Sequence, residues 1–186
     1  MNWDPMTTQE VHPMKCLIVV DYQVDFVSGS LGNAAAAALD AGIAARIRQA
    51  RMQGEDVIFT LDTHEADYMS TREGKYLPVP HCIRGTEGHD LYGETAKERC
   101  PEDAVFCKET FGSKELFAHL LEKGYDEIEL CGVVTNICVI SNAVLAKTAL
   151  PEADVRVTAA LCASNDASLH RKALDVMASF QIDIIE

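Results

Sequence analysis

Three side chains capable of covalent chemistry stand at the ends of apolar runs. Asp21 follows "CLIVV", Lys108 follows "AVFC", and Cys138 comes one tight turn after "ELCG". Continuous apolar runs of this length suggest strands covered on both faces, the pattern of a parallel sheet. Ligands of an open parallel sheet bind beyond the carboxyl ends of its strands, so the three residues should share one edge. Cys138 falls in the first turn of a helix that Thr135 is expected to cap. Free backbone N–H groups and the positive end of the helix dipole favour a thiolate there. A thiolate that attacks a carbonyl, an ammonium that keeps the thiol ionised and a carboxylate that moves protons make a covalent hydrolase for an amide. Each residue alone has a bland reading: strand-end aspartates cap helices, most lysines are solvated, and most cysteines are packing. Their coincidence at adjacent strand ends carries the argument.

A second group lies just beyond the second strand, "DVIFTLDTH". Asp62 and His64, two residues apart at a strand end, project to the same side and can reach one cation. His81 follows a proline-stiffened turn, "PVPH", and is a candidate third ligand. Mixed imidazole and carboxylate ligation suits zinc, iron or manganese. The intervening loop holds three carboxylates. Glu65 and Asp67 follow His64 too closely to turn back onto the cation without strain. Glu73 is followed at once by Gly74, which permits a sharp reversal, and is the candidate fourth ligand. The alternative is a solvated Glu73 paired with Arg72 or Lys75. His12, His89, His119 and His170 read as surface or core residues.

The elements that must hold these groups alternate. After the first strand, "GNAAAAALDAGIAARIRQARMQG" is one long helix bounded by glycines, then come strands at "DVIFTLDTH" and "DAVFCKE". A helix opening at Ser113 presents Leu116, Phe117, Leu120 and Leu121, "DEIELCG" is the fourth strand, and "DVRVTAA" the fifth. A last helix, "SNDASLHRKALDVMASF", precedes the sixth strand, "QIDII". The result is a doubly wound α/β domain spanning 15–186: a six-stranded, mostly parallel sheet with helices on both faces. The irregular stretch 63–103 is too long for an idle connection and should be functional.

The chain of 186 residues suits one domain with a sizeable core. A net charge of −13 offers no basic footprint for nucleic acid or an anionic membrane surface, and no apolar run is long enough to span a bilayer. Residues 1–14 read as a solvated extension without the features of a secretory signal. The seven cysteines contain no C-x-x-C pair, which argues against structural zinc and a disulfide framework and for a reducing cytoplasm. Cys16, Cys107 and Cys131 read as small core residues. The first β–α turn, "DYQVDFVSGSLGN", lacks the G-x-G-x-x-G of dinucleotide-binding folds.

With these residues in place, the chain resembles the isochorismatase-like cysteine hydrolases, and among them the nicotinamidases. The resemblance rests on "DYQVDF", "DTH" with "PHCIRGTEG", "KETFGS" and "CGVVTNICV". It implies a catalytic Asp21, Lys108 and Cys138, and a divalent metal, zinc first among the candidates, on Asp62, His64 and His81. Some nicotinamidases also have a glutamate ligand at about the spacing of Glu73. It further implies a substrate pocket with Phe26 and Phe111, a cis peptide between Val133 and Val134, and an oxyanion hole from the backbone N–H groups of Val134 and Cys138. A small-molecule amide substrate and a homo-oligomer belong to the same resemblance. The chain departs from the family where a tryptophan often precedes the proline–histidine turn, here "YLPVPHC", and at Asn136, where an acidic residue is common. A related enzyme for ureido or carbamoyl compounds, and a catalytically silent binding module, are the rival readings.

Overall fold

A computed structural model describes residues 13–186. Six strands, β1 (Lys15–Val20), β2 (Asp56–Asp62), β3 (Ala104–Lys108), β4 (Glu127–Val133), β5 (Asp154–Ala163) and β6 (Asp183–Ile185), build one sheet in the order β3-β2-β1-β4-β5-β6. Every neighbouring pair is parallel. The helices are α1 (Val24–Val27), α2 (Ala34–Ala37), α3 (Asp40–Met52), α4 (Arg72–Tyr76), α5 (Gly93–Lys97), α6 (Lys114–Lys123), α7 (Ile140–Ala149) and α8 (Ala167–Ser179). Among the described residues, no helix is long and apolar enough to cross a membrane.

Period-two alternation sorts β1 between two cores. Cys16, Ile18 and Val20 pack with Leu116 and Leu120 of α6, Ala143 and Ala146 of α7, and Met177 of α8. Leu17 and Val19 pack with Ile43 and Ile47 of α3 on the opposite face. The chain winds outward from β1 through β2 to β3, then restarts beside β1 with β4. The strand order therefore reverses between β1 and β4, and a crevice opens at their carboxyl ends.

Several elements differ from the sequence expectation. The long helix after β1 is two pieces, α2 and α3. Asn33 caps the first by accepting the Ala36 N–H, and the backbone of Ala38 and Leu39 stays helical across the break. Stretch 63–103 contains short helical turns, including α4 and α5. Cys107 is exposed rather than core, on a strand at the edge of the sheet. The proposed 1–14 extension, with His12, falls mostly outside the described residues. Met14 is tied down: its N–H donates to Asp126 Oδ2 at 2.7 Å and its carbonyl accepts the Asp126 N–H at 2.8 Å.

At one position, on β4 beside the crevice, only glycine fits. Gly132 has φ +115°, and a Cβ there would lie 2.1 Å from the Val20 carbonyl oxygen. The β4–β5 register also shifts between Leu130 and Gly132, so this residue sets how β4 delivers the following loop. Gly124, which ends α6 at φ +68°, has nothing within 4 Å of a built Cβ. Gly124→Ala should therefore cost only the left-handed conformation, about 1–2 kcal/mol. Gly132→Ala adds a backbone collision and should cost roughly 2–4 kcal/mol in urea denaturation, clearly more than Gly124→Ala.

Candidate active site and metal centre

The sheet register brings the first group together. Asp62 on β2 is directly opposite Lys108 on β3, and Val20, just before Asp21, is opposite Thr60 on β2. Asp21 takes a left-handed turn, φ +46°, that ends β1 and keeps its side chain inside. Short polar aspartate tolerates that conformation better than most residues. Asp21 Oδ1 accepts a hydrogen bond from Thr60 Oγ1 at 2.6 Å. Asp21 Oδ2 lies 2.6 Å from Lys108 Nζ, without a well-aligned hydrogen bond. Lys108 Nζ also donates to Asp62 Oδ1 at 3.1 Å and to Cys138 Sγ at 3.5 Å. All five side chains, Asp21, Thr60, Asp62, Lys108 and Cys138, are buried.

Cys138 sits in a π turn, Thr135–Val139, that leads into α7. Thr135 does not cap it. Its hydroxyl instead pairs with His170 Nδ1 of α8 at 2.8 Å, and the turn lacks a side-chain cap. Asn142 on α7 holds the turn from within. Its Nδ2 donates to the carbonyls of Cys138 (2.8 Å) and Phe111 (3.1 Å), and its Oδ1 accepts the Ser113 N–H at 3.0 Å. The peptide between Val133 and Val134 is cis.

Opposing effects meet at Cys138. Burial pushes the Cys138 thiol well above its ordinary value, the Asp21 charge adds to this, and Lys108 offsets only part. Burial thus opposes the helix start, which favours ionisation of the thiol. Burial also raises Asp21, against the pull of Lys108. Burial would lower Lys108, but Asp21, Cys138 and Asp62 together hold it well above the usual lysine value. One ammonium thus faces Asp21 and Cys138, both of which burial makes reluctant to ionise. Passing the proton from sulfur to carboxylate leaves the net charge unchanged.

The second group converges beside the first. Asp62 Oδ2 lies 3.0 Å from His64 Nε2 and 3.3 Å from His81 Nε2. Glu73 Oε1, on α4, is 3.9 Å from His64 Nε2 and 3.7 Å from His81 Nε2. The side chain is turned into the cluster, not out toward Arg72 or Lys75. Gly74 serves here by closeness rather than by reversing the chain: it lies within α4, where a Cβ would be 2.2 Å from the Tyr68 carbonyl. His81 Nδ1 donates to the Val79 carbonyl at 2.8 Å, which leaves Nε2 as the lone-pair nitrogen facing the cluster. Tetrahedral ligands at zinc lie about 3.3 Å apart for bonds of about 2.0–2.1 Å, so the donor types and separations of Asp62, His64 and His81 fit a divalent cation. Their ligand atoms all fall within 4.8 Å of one another.

Cys138 of the first group and Asp62, His81 and Glu73 of the second line one cavity of about 200 Å³. Asp62, Glu73, His81 and Cys138 give it polar walls; Phe26, Leu31, Leu77, Phe111, Val134 and Ile137 give it apolar ones. Phe26 is buried and meets His81 edge-on, centroids 5.5 Å apart, whereas Phe111 is 44% exposed at the mouth. Leu77 stands in the wall near the missing tryptophan, and Asn136 accepts a hydrogen bond from Ser164. A larger outer cleft of about 570 Å³ shares Glu73 and Phe111 but touches neither Cys138 nor Lys108. The sequence reading missed Gln23, Thr60 and Asn142. All three are buried polar residues, and only a partner distant in the chain reveals their use.

This fold and this site define a class. The isochorismatase domain model matches residues 15–186, and the chain belongs to that family. It is a nicotinamidase-like amidohydrolase. The nicotinamidase/pyrazinamidase of Mycobacterium tuberculosis is 30% identical over 142 residues, 68% of this chain and 75% of that protein. The crystal structure of the pyrazinamidase/nicotinamidase of Streptococcus mutans superposes with a TM-score of 0.83 at 31% identity, covering 92% of this chain and 99% of that one. The pyrazinamidase of Pyrococcus horikoshii, solved in complex with zinc, gives a TM-score of 0.80 at 27% identity, covering 94% and 99%.

Two outcomes follow from the geometry. Asp21→Asn removes the charge that raises the thiol, so the pH profile of Cys138 alkylation should move to lower pH; Lys108→Met should move it to higher pH. Peptide mass spectrometry after iodoacetamide treatment reads both, with exposed Cys107 as the internal reference. Glu73→Ala should weaken zinc binding, whereas Glu65→Ala should not, because Glu65 pairs with Arg84 at 2.8 Å on the surface. Chelator competition measures the difference.

Proposed function

We propose that this chain hydrolyses nicotinamide to nicotinic acid and ammonia through a thioester on Cys138. One observation carries the reading: Cys138, which Lys108 contacts beside Asp21, lines the same cavity of about 200 Å³ as Asp62 and His81 of the Asp62–His64–His81 cluster. That volume, with apolar walls and a few polar groups, suits a single-ring amide. Asp21 accepts the Cys138 proton as Sγ adds to the carboxamide carbon. Lys108 keeps the remaining negative charge compensated. The backbone N–H groups of Val134 and Cys138 are the donors assigned to the developing oxyanion. Asp21 then gives its proton to the departing nitrogen, the C–N bond breaks, and ammonia leaves. Water, deprotonated by Asp21, attacks the thioester; the C–S bond breaks and the thiol regains its proton. Phe26 and Phe111 would flank the ring. Asp62, His64, His81 and Glu73 would hold a divalent cation, zinc on the donor set, which supplies a Lewis-acidic anchor for the ring nitrogen.

The test is ammonia release from nicotinamide, run beside a panel of small ureido, carbamoyl and aliphatic amides. Nicotinamide should be the preferred substrate, and activity should fall on chelation and return with zinc. Cys138→Ala should abolish turnover with the fold intact. Lys108→Met should lower kcat by orders of magnitude, while Lys123→Met, at a half-exposed position, should leave it unchanged. Preference for a carbamoyl compound, or equal kinetics for the two lysine variants, would overturn the assignment.

A further inference from the structure

One short segment after β1 reaches two separate parts of the cation cluster. The backbone of β1 leaves the sheet at Asp21, so it no longer pairs with β2 at the level of Asp62. Gln23 replaces it with a side chain. Its Oε1 accepts the Asp62 N–H at 2.8 Å, and its Nε2 donates to the Asp62 carbonyl at 2.9 Å and to the His89 carbonyl at 2.8 Å. Gln23 is fully buried, and these bonds satisfy its oxygen and both amide hydrogens. The Asp62 peptide is thereby gripped from both sides, and with it a carboxylate whose Oδ1 faces Lys108 and whose Oδ2 faces the imidazoles.

Two residues on, Asp25 grips the other half. Its Oδ2 accepts the N–H of Cys82, the residue after His81, at 2.8 Å. Cys82 has φ +47°, an uncommon conformation for a cysteine that needs outside support. The Cys82 carbonyl in turn accepts the His64 N–H at 3.0 Å, and Arg84 N–H donates to the His64 carbonyl at 2.8 Å. His64 and His81 are therefore joined through one turn, and Asp25 holds that turn. Space around the carboxylate is tight: a Cβ at Gly88 would fall 2.0 Å from Asp25 Oδ2.

We propose that Gln23 and Asp25 are positioning residues of the cation centre, Gln23 for the carboxylate ligand and Asp25 for the two imidazoles. The inference rests on reading Asp62, His64 and His81 as a metal site. Neither residue touches the cation; each fixes the backbone from which a ligand projects. Groups that orient metal ligands typically cost about 10–100-fold in affinity when removed.

The experiment titrates zinc alone into the chelator-stripped full chain against a chromophoric chelator, with the apo Tm recorded alongside. Gln23→Met and Asp25→Ala should bind zinc about 10–100-fold more weakly than the unaltered chain. Ser28→Ala, exposed on the same segment, should bind as the unaltered chain does. Where either variant fails to fold, Gln23→Asn and Asp25→Asn, which keep part of the hydrogen bonding, are read in its place. Unchanged zinc affinity in the folded variants overturns the proposal even where the apo Tm drops, because only a folding role would remain. Ammonia release by the unaltered chain separates the two readings. An active chain with unchanged variant affinities overturns the positioning roles alone. An inactive chain whose tight zinc binding weakens in the variants overturns the nicotinamide assignment and sustains the positioning roles. A chain that takes up no zinc overturns this inference.

Discussion

The site is organised around one buried ammonium. Lys108 lies within 3.5 Å of three buried groups that can each be anionic, Asp21, Asp62 and Cys138. Unpaired charge at such depth would cost several kcal/mol per ion, so the charged members of this group stabilise one another. Their mutual need explains the sheet register that sets Asp62 opposite Lys108, and the left-handed turn that keeps Asp21 inside. Asp62 has a further task. One of its oxygens serves the ammonium and the other the imidazoles, so a single carboxylate joins the Lys108 group to the His64–His81 pair.

Topology supplies the room for this arrangement. Strand order reverses between β1 and β4, and the residues that follow those two strands, Asp21 and Cys138, flank the crevice. The same strand order serves dinucleotide binding elsewhere, where a glycine-rich turn after the first strand admits a pyrophosphate. Here that turn is occupied by Asp21, Gln23, Asp25 and Phe26. It is filled with side chains that brace neighbouring loops, and no phosphate could approach the backbone as closely.

The parts of this structure legible in the sequence share a physical basis. Apolar runs marked five of the strands well, since a parallel sheet buries both faces. The residue that ends each run had to lie at the functional edge, which exposed Asp21, Asp62 and Lys108. What was illegible depended on contacts between distant segments. Nothing local distinguishes the buried glutamine at 23 from a surface one until the Asp62 peptide lies beside it. Thr135 had the right type and place for a helix cap, yet His170 from α8 claimed its hydroxyl. Cys107 followed the apolar pattern of β3, but it is exposed, on a strand at the sheet edge. The surroundings of Cys138 were half legible for a related reason: a helix start can be read from sequence, whereas the depth of burial that opposes it cannot.

That edge position has a consequence for endurance. Lys108 ends a five-residue strand that is hydrogen-bonded to β2 on one side only. Edge strands open locally at a lower free energy than strands in the middle of a sheet. Peeling β3 away would withdraw the ammonium from Asp21 and Cys138 while β1, β2, β4 and β5 stayed paired. The lifetime of the active arrangement is then governed by sub-global opening of one edge, and amide hydrogen exchange along Ala104–Lys108 should track inactivation more closely than exchange in β1. Stiffening the molecule elsewhere would leave that weak point where it is.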